Sequence, residues 1–274
     1  MNPILCSTGC LIGRPNGRNI RLLESCIDRL ECDGFEFMLY SDWYERLPEI
    51  TAYLKSLPTT FPTLHCEKHI GEALSSGLPE DREEAFRRFR LNCELAEALG
   101  SERLVLHLWD GLASDSHIER NLEAYGRLWE TAGEHGLELT VENVVCSRRD
   151  PWAHWLELLE RYPDVSFTFD TKMAAFHEQL ELLYRPENAW VGRHVHHLHV
   201  NDYGGGYKDW ANLKTLHIGR GKLDFAPFFA WMRQEHYDGY LTVEATSFGA
   251  DGSIDFESLN RSIRTIRGYM EGER

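Results

Sequence analysis

Eight short apolar runs alternate with eight longer stretches of helical periodicity along the 274 residues of this chain. Strict alternation with short connections is typical of a parallel sheet, and eight repeats favour closure into a barrel, which usually takes ~250 residues. We therefore predict a single (β/α)8 TIM barrel that fills residues 1–274 as one domain. The predicted strands are 3–7, 34–39, 62–66, 103–108, 137–143, 165–170, 194–201 and 239–245. The predicted helices are 19–29, 44–56, 80–99, 116–135, 152–161, 174–184, 224–234 and 255–270.

The alternative to a barrel is a doubly wound open sheet. Such a sheet often carries a Gly-x-Gly-x-x-Gly fingerprint after its first strand, and residues 7–13 (Ser-Thr-Gly-Cys-Leu-Ile-Gly) imitate it only weakly. Gly100, Gly136 and Gly239 fall where a helix would end and a strand begin, so we predict that they cap helices. The barrel is therefore the preferred interpretation.

Composition narrows the range of partners. The formal charge of −15, from 44 acidic and 29 basic residues, argues against general affinity for nucleic acid, whose phosphates are bound by clustered Lys and Arg. No stretch reaches the ~20 apolar residues that a membrane helix needs. The seven cysteines contain no Cys-x-x-Cys pair, so we expect reduced thiols in a cytoplasmic protein. A small-molecule substrate, with neither nucleic acid nor membrane as partner, is the expectation.

Acidic side chains lie at the last or next-to-last position of three predicted strands. They are Glu142, Asp170 and Glu244, and the remaining late strand, 194–201, is rich in histidine. A buried carboxylate costs free energy unless a partner compensates its charge. Strand ends in a barrel converge on its active-site face, so a divalent cation could compensate all of them at once. The alternative is that these carboxylates form structural ion pairs or bond to the backbone.

The seventh predicted strand contains several histidines, and it is harder to decide which of them is a metal ligand. Period-two alternation places His197 and His199 on one face and His196 on the other. A histidine on a strand is often structural and hydrogen bonded, so the pattern alone leaves the choice of ligand open among His194, His196, His197 and His199.

Six short motifs occur in order along the chain. They are Leu104-Val-Leu-His107, Val141-Glu142-Asn143, Phe169-Asp170-Thr171, Val195-His-His-Leu-His199-Val-Asn-Asp202, Ile218-Gly219-Arg-Gly221-Lys-Leu-Asp224-Phe225 and Val243-Glu244. Together they resemble the xylose isomerase-like superfamily of barrels, which includes sugar phosphate isomerases/epimerases, ketose 3-epimerases, inosose dehydratases and type IV apurinic endonucleases. The resemblance implies that Glu142, Asp170, His199 and Glu244 hold one divalent metal ion, with Mn²⁺ as the first candidate and Mg²⁺, Co²⁺ or Zn²⁺ as alternatives.

Two departures from the endonuclease pattern affect the functional prediction. Endonuclease-type members carry a histidine where this chain has Met173, and an Asp-x-His pair where it has Leu213-Lys214-Thr215. Both changes remove ligands of a three-zinc cluster. The resemblance therefore favours a single-metal enzyme of the sugar isomerase/epimerase branch, and family members are often homo-oligomers.

The predicted reaction is isomerisation or epimerisation of a sugar, sugar phosphate or polyol. The ion would polarise the substrate carbonyl and stabilise an enediolate, while Glu142 and Glu244 act as acid and base in addition to being ligands. The alternatives are an inosose-type keto-polyol dehydratase, an apurinic endonuclease-like phosphodiesterase, and a barrel that binds a ligand without catalysis.

Further strand-end and loop residues are candidate substrate ligands. His65 and His107 could bind sugar hydroxyls, although packed structural histidines are the alternative. A substrate phosphate or carboxylate could be received by basic residues, although basic side chains are common on any surface. These basic residues are Arg148, Lys172, His217 and Arg220.

Overall fold

The computed structural model describes residues 2–111 and 115–272, so the predicted domain limits, 1 and 274, lie outside the described residues. Eight strands form a closed barrel in chain order, and pairs such as β1 with β8 and β3 with β4 run parallel. This confirms the predicted barrel. The strands are β1 (Ile4–Ser7), β2 (Gly34–Met38), β3 (Thr63–His65), β4 (Arg103–Leu106), β5 (Glu138–Glu142), β6 (Ser166–Asp170), β7 (Val195–His199) and β8 (Tyr240–Val243).

Helices follow each of the strands. In the described residues they are α1 (Leu22–Ile27), α2 (Leu47–Ser56), α3 (His69–Ser75), α4 (Pro79–Leu99), α5 (Ile118–Glu134), α6 (Pro151–Arg161), α7 (Thr171–Phe176), α8 (Ala189–Gly192), α9 (Ala226–Gln234) and α10 (Phe256–Glu271). None of these helices is long and apolar enough to cross a membrane.

The chain divides into two compact units. The first unit comprises Met1–Phe35 with Phe169–Arg274, and the second unit comprises Glu36–Thr168. The single domain proposed for residues 1–274 therefore stays a prediction.

Each unit has its own aromatic core. In the second unit Trp155 of α6 stacks on Phe167 of β6, with ring centroids 4.1 Å apart and planes 9° from parallel. In the first unit Phe169 stacks on Phe228 of α9 at 6.3 Å. All four rings are almost completely buried. These contacts fix the helices against the strands that carry the candidate site residues.

Two local predictions need correction, and a third is confirmed. The helix predicted over 174–184 is two elements, α7 and a 3₁₀ turn over Leu180–Tyr184, because Glu178 adopts a left-handed conformation with φ 53° that no α-helix accommodates. Gly100 caps α4 with φ 72°, as predicted. Gly239 does not cap a helix: a Cβ there would lie 2.2 Å from the carbonyl oxygen of His196, so glycine is required for close packing.

The short helices α3 and α8 were not predicted. They span 7 and 4 residues, which is less than the window over which helical periodicity can be recognised.

We predict that Trp155→Ala lowers the free energy of unfolding by about 3–5 kcal/mol, because it removes a buried ring and leaves a cavity. Urea denaturation followed by circular dichroism measures this change. The matched control is Trp129→Ala, since the Trp129 side chain is 47% exposed and its loss should cost within about 0.5 kcal/mol. Equal decreases in the free energy of unfolding of the two variants would contradict the proposed core.

Candidate metal centre

Three potential metal ligands come together in the first unit. Asp170 ends β6, His199 ends β7, and Glu244 directly follows β8. One ligand atom from each lies within 4.8 Å of the others, and Nδ1 of His199 is 3.3 Å from Oε2 of Glu244. Asp170 and His199 are fully buried, while the Glu244 side chain is 10% exposed. Two carboxylates and one imidazole at this spacing form a donor set that can hold a divalent ion.

Asn201, which follows β7, positions this trio. Its Nδ2 donates to Oδ2 of Asp170 at 3.2 Å, and its Oδ1 accepts the backbone N–H of Glu244 at 2.9 Å. The other carboxylate oxygen of Asp170 accepts the N–H of Met173 at 2.8 Å and so caps α7. Asn201 was not predicted as a site residue, although its place in the His-Val-Asn-Asp motif was a signal for it.

Lys172 lies beside the trio and is almost buried. Its ammonium group is 3.8 Å from Oδ2 of Asp170 and donates to Oγ1 of Thr215 at 3.0 Å. A positive charge at this distance offsets part of the cost of burying the Asp170 carboxylate. Lys172, predicted to bind substrate, is thus engaged with protein groups.

The histidines of β7 lie on opposite faces of the strand, as period-two alternation predicts. His197 and His199 are fully buried, and their rings meet edge to face at 5.1 Å. Nε2 of His197 contacts Oγ1 of Thr242 at 3.1 Å, whereas His196 is partly exposed and contacts the carbonyl of Arg193. Only His199 of this pair belongs to the group that contains Asp170 and Glu244.

A second group of buried polar side chains lies in the second unit. Nε2 of His107 is 2.7 Å from Oε2 of Glu142, and Nε2 of His65 is 3.4 Å from the same oxygen. Burial lowers the pKa of His107 to about 4, although the Glu142 carboxylate acts in the opposite direction. His107 is therefore neutral at pH 7. Two imidazoles around one carboxylate can bind a substrate hydroxyl or an ion.

The remaining predicted anion ligands have different surroundings. Nδ1 of His217 contacts Oγ of Ser262 at 2.9 Å, Nε2 contacts Oγ of Ser247 at 3.3 Å, and burial lowers its pKa. Arg148 and Arg220 have exposed side chains. Their role as receivers of a phosphate or carboxylate stays a prediction.

Asp202 organises the long segment that follows β7. Oδ2 accepts the N–H groups of Gly219 and Gly221, both at 2.9 Å, and Oδ1 accepts those of Tyr203 at 2.8 Å and Leu223 at 3.1 Å. A Cβ at Gly221 would lie 2.2 Å from Oδ1, so glycine is required there. One buried carboxylate therefore shapes the loop that carries Thr215 and His217.

The closed parallel barrel and the carboxylates and imidazoles at its strand ends define a structural class. A sequence comparison identifies the family within that class. The chain belongs to the xylose isomerase-like TIM barrel family, whose sequence model matches residues 27–267. It is 26% identical to the uncharacterised protein MJ1311 of Methanocaldococcus jannaschii, in a match that covers 61% of this chain and 60% of that protein. The chain therefore spans about 60% of the length of this curated relative.

Several solved structures share the fold. The IolI protein with a bound zinc atom superposes with TM-score 0.75, at 14% identity and 99% coverage of both chains. L-ribulose 3-epimerase gives 0.73 at 15% identity, covering 99% of this chain and 95% of that chain. D-allulose 3-epimerase from Methylomonas sp., in complex with D-allulose, gives 0.71 at 17% identity, covering 98% and 97%. At these identities the likeness shows the fold alone.

We predict that Asp202→Ala loosens the 203–223 segment, because four backbone donors lose their charged acceptor. The free energy of unfolding, measured by urea denaturation, should fall by more than about 2 kcal/mol, because hydrogen bonds to charged groups contribute ~1.5–3 kcal/mol each. Limited proteolysis should cut the variant within this segment. The control Asp209→Ala lies in the same loop and removes a side-chain bond to Asn212, so it should behave like the wild type. Unchanged proteolysis of Asp202→Ala would contradict the organising role.

Proposed function

We propose that this protein is a divalent-metal-dependent sugar isomerase or epimerase. The observation that carries the proposal is the convergence of Asp170, His199 and Glu244 in a largely buried position at the ends of β6, β7 and β8. Buried carboxylates need compensation, and the active sites of parallel barrels lie at the carboxyl ends of the strands.

Glu142 is proposed as the fourth ligand. It is the last residue of β5, the strand next to β6 in the barrel order, and its side chain is fully buried. Three carboxylates and one imidazole form an oxygen-rich donor set that suits Mn²⁺, Mg²⁺ or Co²⁺, with Zn²⁺ also accepted. The bound ion would polarise the substrate carbonyl.

The chain's own carboxylates would move the proton. We assign Glu142 and Glu244 as the acid/base pair that removes a proton from the carbon next to the carbonyl, through an enediolate, and returns it. His65 and His107 lie within 3.4 Å of the Glu142 carboxylate, so they can hold a substrate hydroxyl beside it. Because His107 is neutral, it can either donate or accept that hydrogen bond.

The proposed substrate is an unphosphorylated ketose. Two structural neighbours are described as a D-allulose and an L-ribulose 3-epimerase, which supports a ketose with reaction at the third carbon. Two of the four basic candidates for a phosphate site are engaged elsewhere: Lys172 with Asp170 and Thr215, and His217 with two serines. This arrangement favours a neutral sugar.

We predict that the protein exchanges the C3 proton of a ketose in D₂O with Mn²⁺ or Co²⁺ present, measured as loss of that proton signal in NMR spectra of D-allulose, L-ribulose and D-tagatose. Glu142→Gln and Glu244→Gln should each slow exchange by about 10²–10⁴-fold, the usual contribution of a positioned acid or base. The control is Glu235→Gln, because Glu235 is an exposed carboxylate beyond α9.

The product separates the possible reactions. A new ketose supports epimerisation, an aldose supports isomerisation, and loss of water after exchange would replace the proposal with a dehydratase. Exchange that is unchanged in both glutamine variants would overturn the assigned roles.

A further inference from the structure

A second group of potential metal ligands lies in the second unit and shares no residue with the proposed centre. It consists of Asp115, Cys146 and His154, and one ligand atom of each lies within 4.8 Å of the other two. Their exposed fractions are 3%, 0% and 0%. We propose that this Asp115–Cys146–His154 cluster binds a structural zinc-class ion.

The imidazole and carboxylate are already close enough to share an ion. Nε2 of His154 lies 3.0 Å from Oδ1 of Asp115, and two atoms at that separation can both reach one ion at roughly 2.0–2.2 Å. Nδ1 of His154 is buried and has no hydrogen-bond partner among the described residues. It can therefore carry the ring proton when Nε2 faces an ion, so the neutral imidazole serves as ligand.

Charge and ligand type point to zinc or cobalt. The Cys146 thiolate and the Asp115 carboxylate together neutralise a divalent cation, so the complete site adds no net charge to the interior. Sulfur, nitrogen and oxygen donors at once suit Zn²⁺ and its substitute Co²⁺ better than Mg²⁺ or Mn²⁺. Binding releases the thiol proton to solvent.

The surrounding contacts hold the cluster in place. Oδ2 of Asp115 accepts the backbone N–H of Arg148 and the hydroxyl of Ser147. Burial alone would raise the pKa of Asp115, but these hydrogen bonds and that from His154 outweigh it and lower the pKa. The carboxylate is therefore ionised at neutral pH.

Trp109 packs against the same region. Its ring meets the His154 ring edge to face at 5.1 Å, and its Nε1 donates to the carbonyl of Val144 at 2.8 Å. Asp150 caps α6 through the N–H of Ala153 and so sets the position of His154 in the first turn. A preorganised group of ligands costs little reorganisation on binding.

The position of the cluster suggests what the ion does. Cys146 lies four residues after Glu142, so an ion here would tie the segment that follows β5 to Asp115. Because all three side chains are buried, a substrate cannot reach the ion. Its role is to stiffen the segment that begins at Glu142.

The test is optical spectroscopy of protein expressed with Co²⁺ in the medium, so that a buried site loads during folding. A thiolate ligand gives Co²⁺ an intense charge-transfer band in the near ultraviolet, and the proposed Glu142, Asp170, His199 and Glu244 set contains no sulfur. We expect the band in the wild type. Cys146→Ser should remove it together with one equivalent of bound cobalt, and His154→Gln should weaken it.

Two controls distinguish the cluster from other metal sites. Cys93→Ser, at a buried cysteine of α4, should keep the band. His199→Ala should also keep it while losing the cobalt of the proposed active site, so each proposal can fail alone. Circular dichroism verifies that every variant is folded, and Asp115→Asn serves as a second cluster variant if Cys146→Ser is not. No band in the wild type, or a band that survives Cys146→Ser, would overturn the proposal.

Discussion

Ionisable groups are buried at the ends of the barrel strands, and their charges need compensation. Asp170 and His199 are fully buried in the first unit, and Glu142 is fully buried in the second. The protein provides partial compensation: Asn201 bonds to Asp170, Lys172 lies 3.8 Å from it, and His107 lies 2.7 Å from Glu142. A neutral imidazole or a single ammonium group does not balance several carboxylates, whereas a divalent cation does. The proposed function follows from this imbalance.

Much of the fold could be predicted because its signal is local. Eight strand-like runs and the helical periodicity of segments such as Pro79–Leu99 are enough to predict the barrel, and all eight strands lie within their predicted ranges. The errors have identifiable causes. Nothing in the sequence pattern around Glu178 indicates its left-handed backbone. Position 239 requires glycine because the carbonyl oxygen of His196, a residue 43 positions away in sequence, leaves no room for a side chain. Tertiary contacts of this kind leave no periodic trace.

The candidate site was predictable to the extent that its residues stand at strand ends. One ligand atom each of Asp170, His199 and Glu244 lies within 4.8 Å of the others, and the buried pair His197 and His199 obeys strand alternation. Partners that are distant in sequence were not predictable. Thr215 accepts from Lys172, Ser262 contacts His217, and Asp115 pairs with His154, each across at least 39 residues. No motif spacing encodes these contacts, and they decide which polar side chains remain available to a substrate.

The strand-end carboxylates and His199 are proposed to hold a divalent ion, and elemental analysis of purified protein measures whether they do. Inductively coupled plasma mass spectrometry should find Mn, Co, Zn or Mg in the wild type, with about one equivalent lost in the Glu142→Gln, His199→Ala double variant while the Cys146→Ser variant keeps that equivalent. Equal metal content in the wild type and the double variant, or no bound metal even after incubation with excess Mn²⁺ or Co²⁺, would contradict the account.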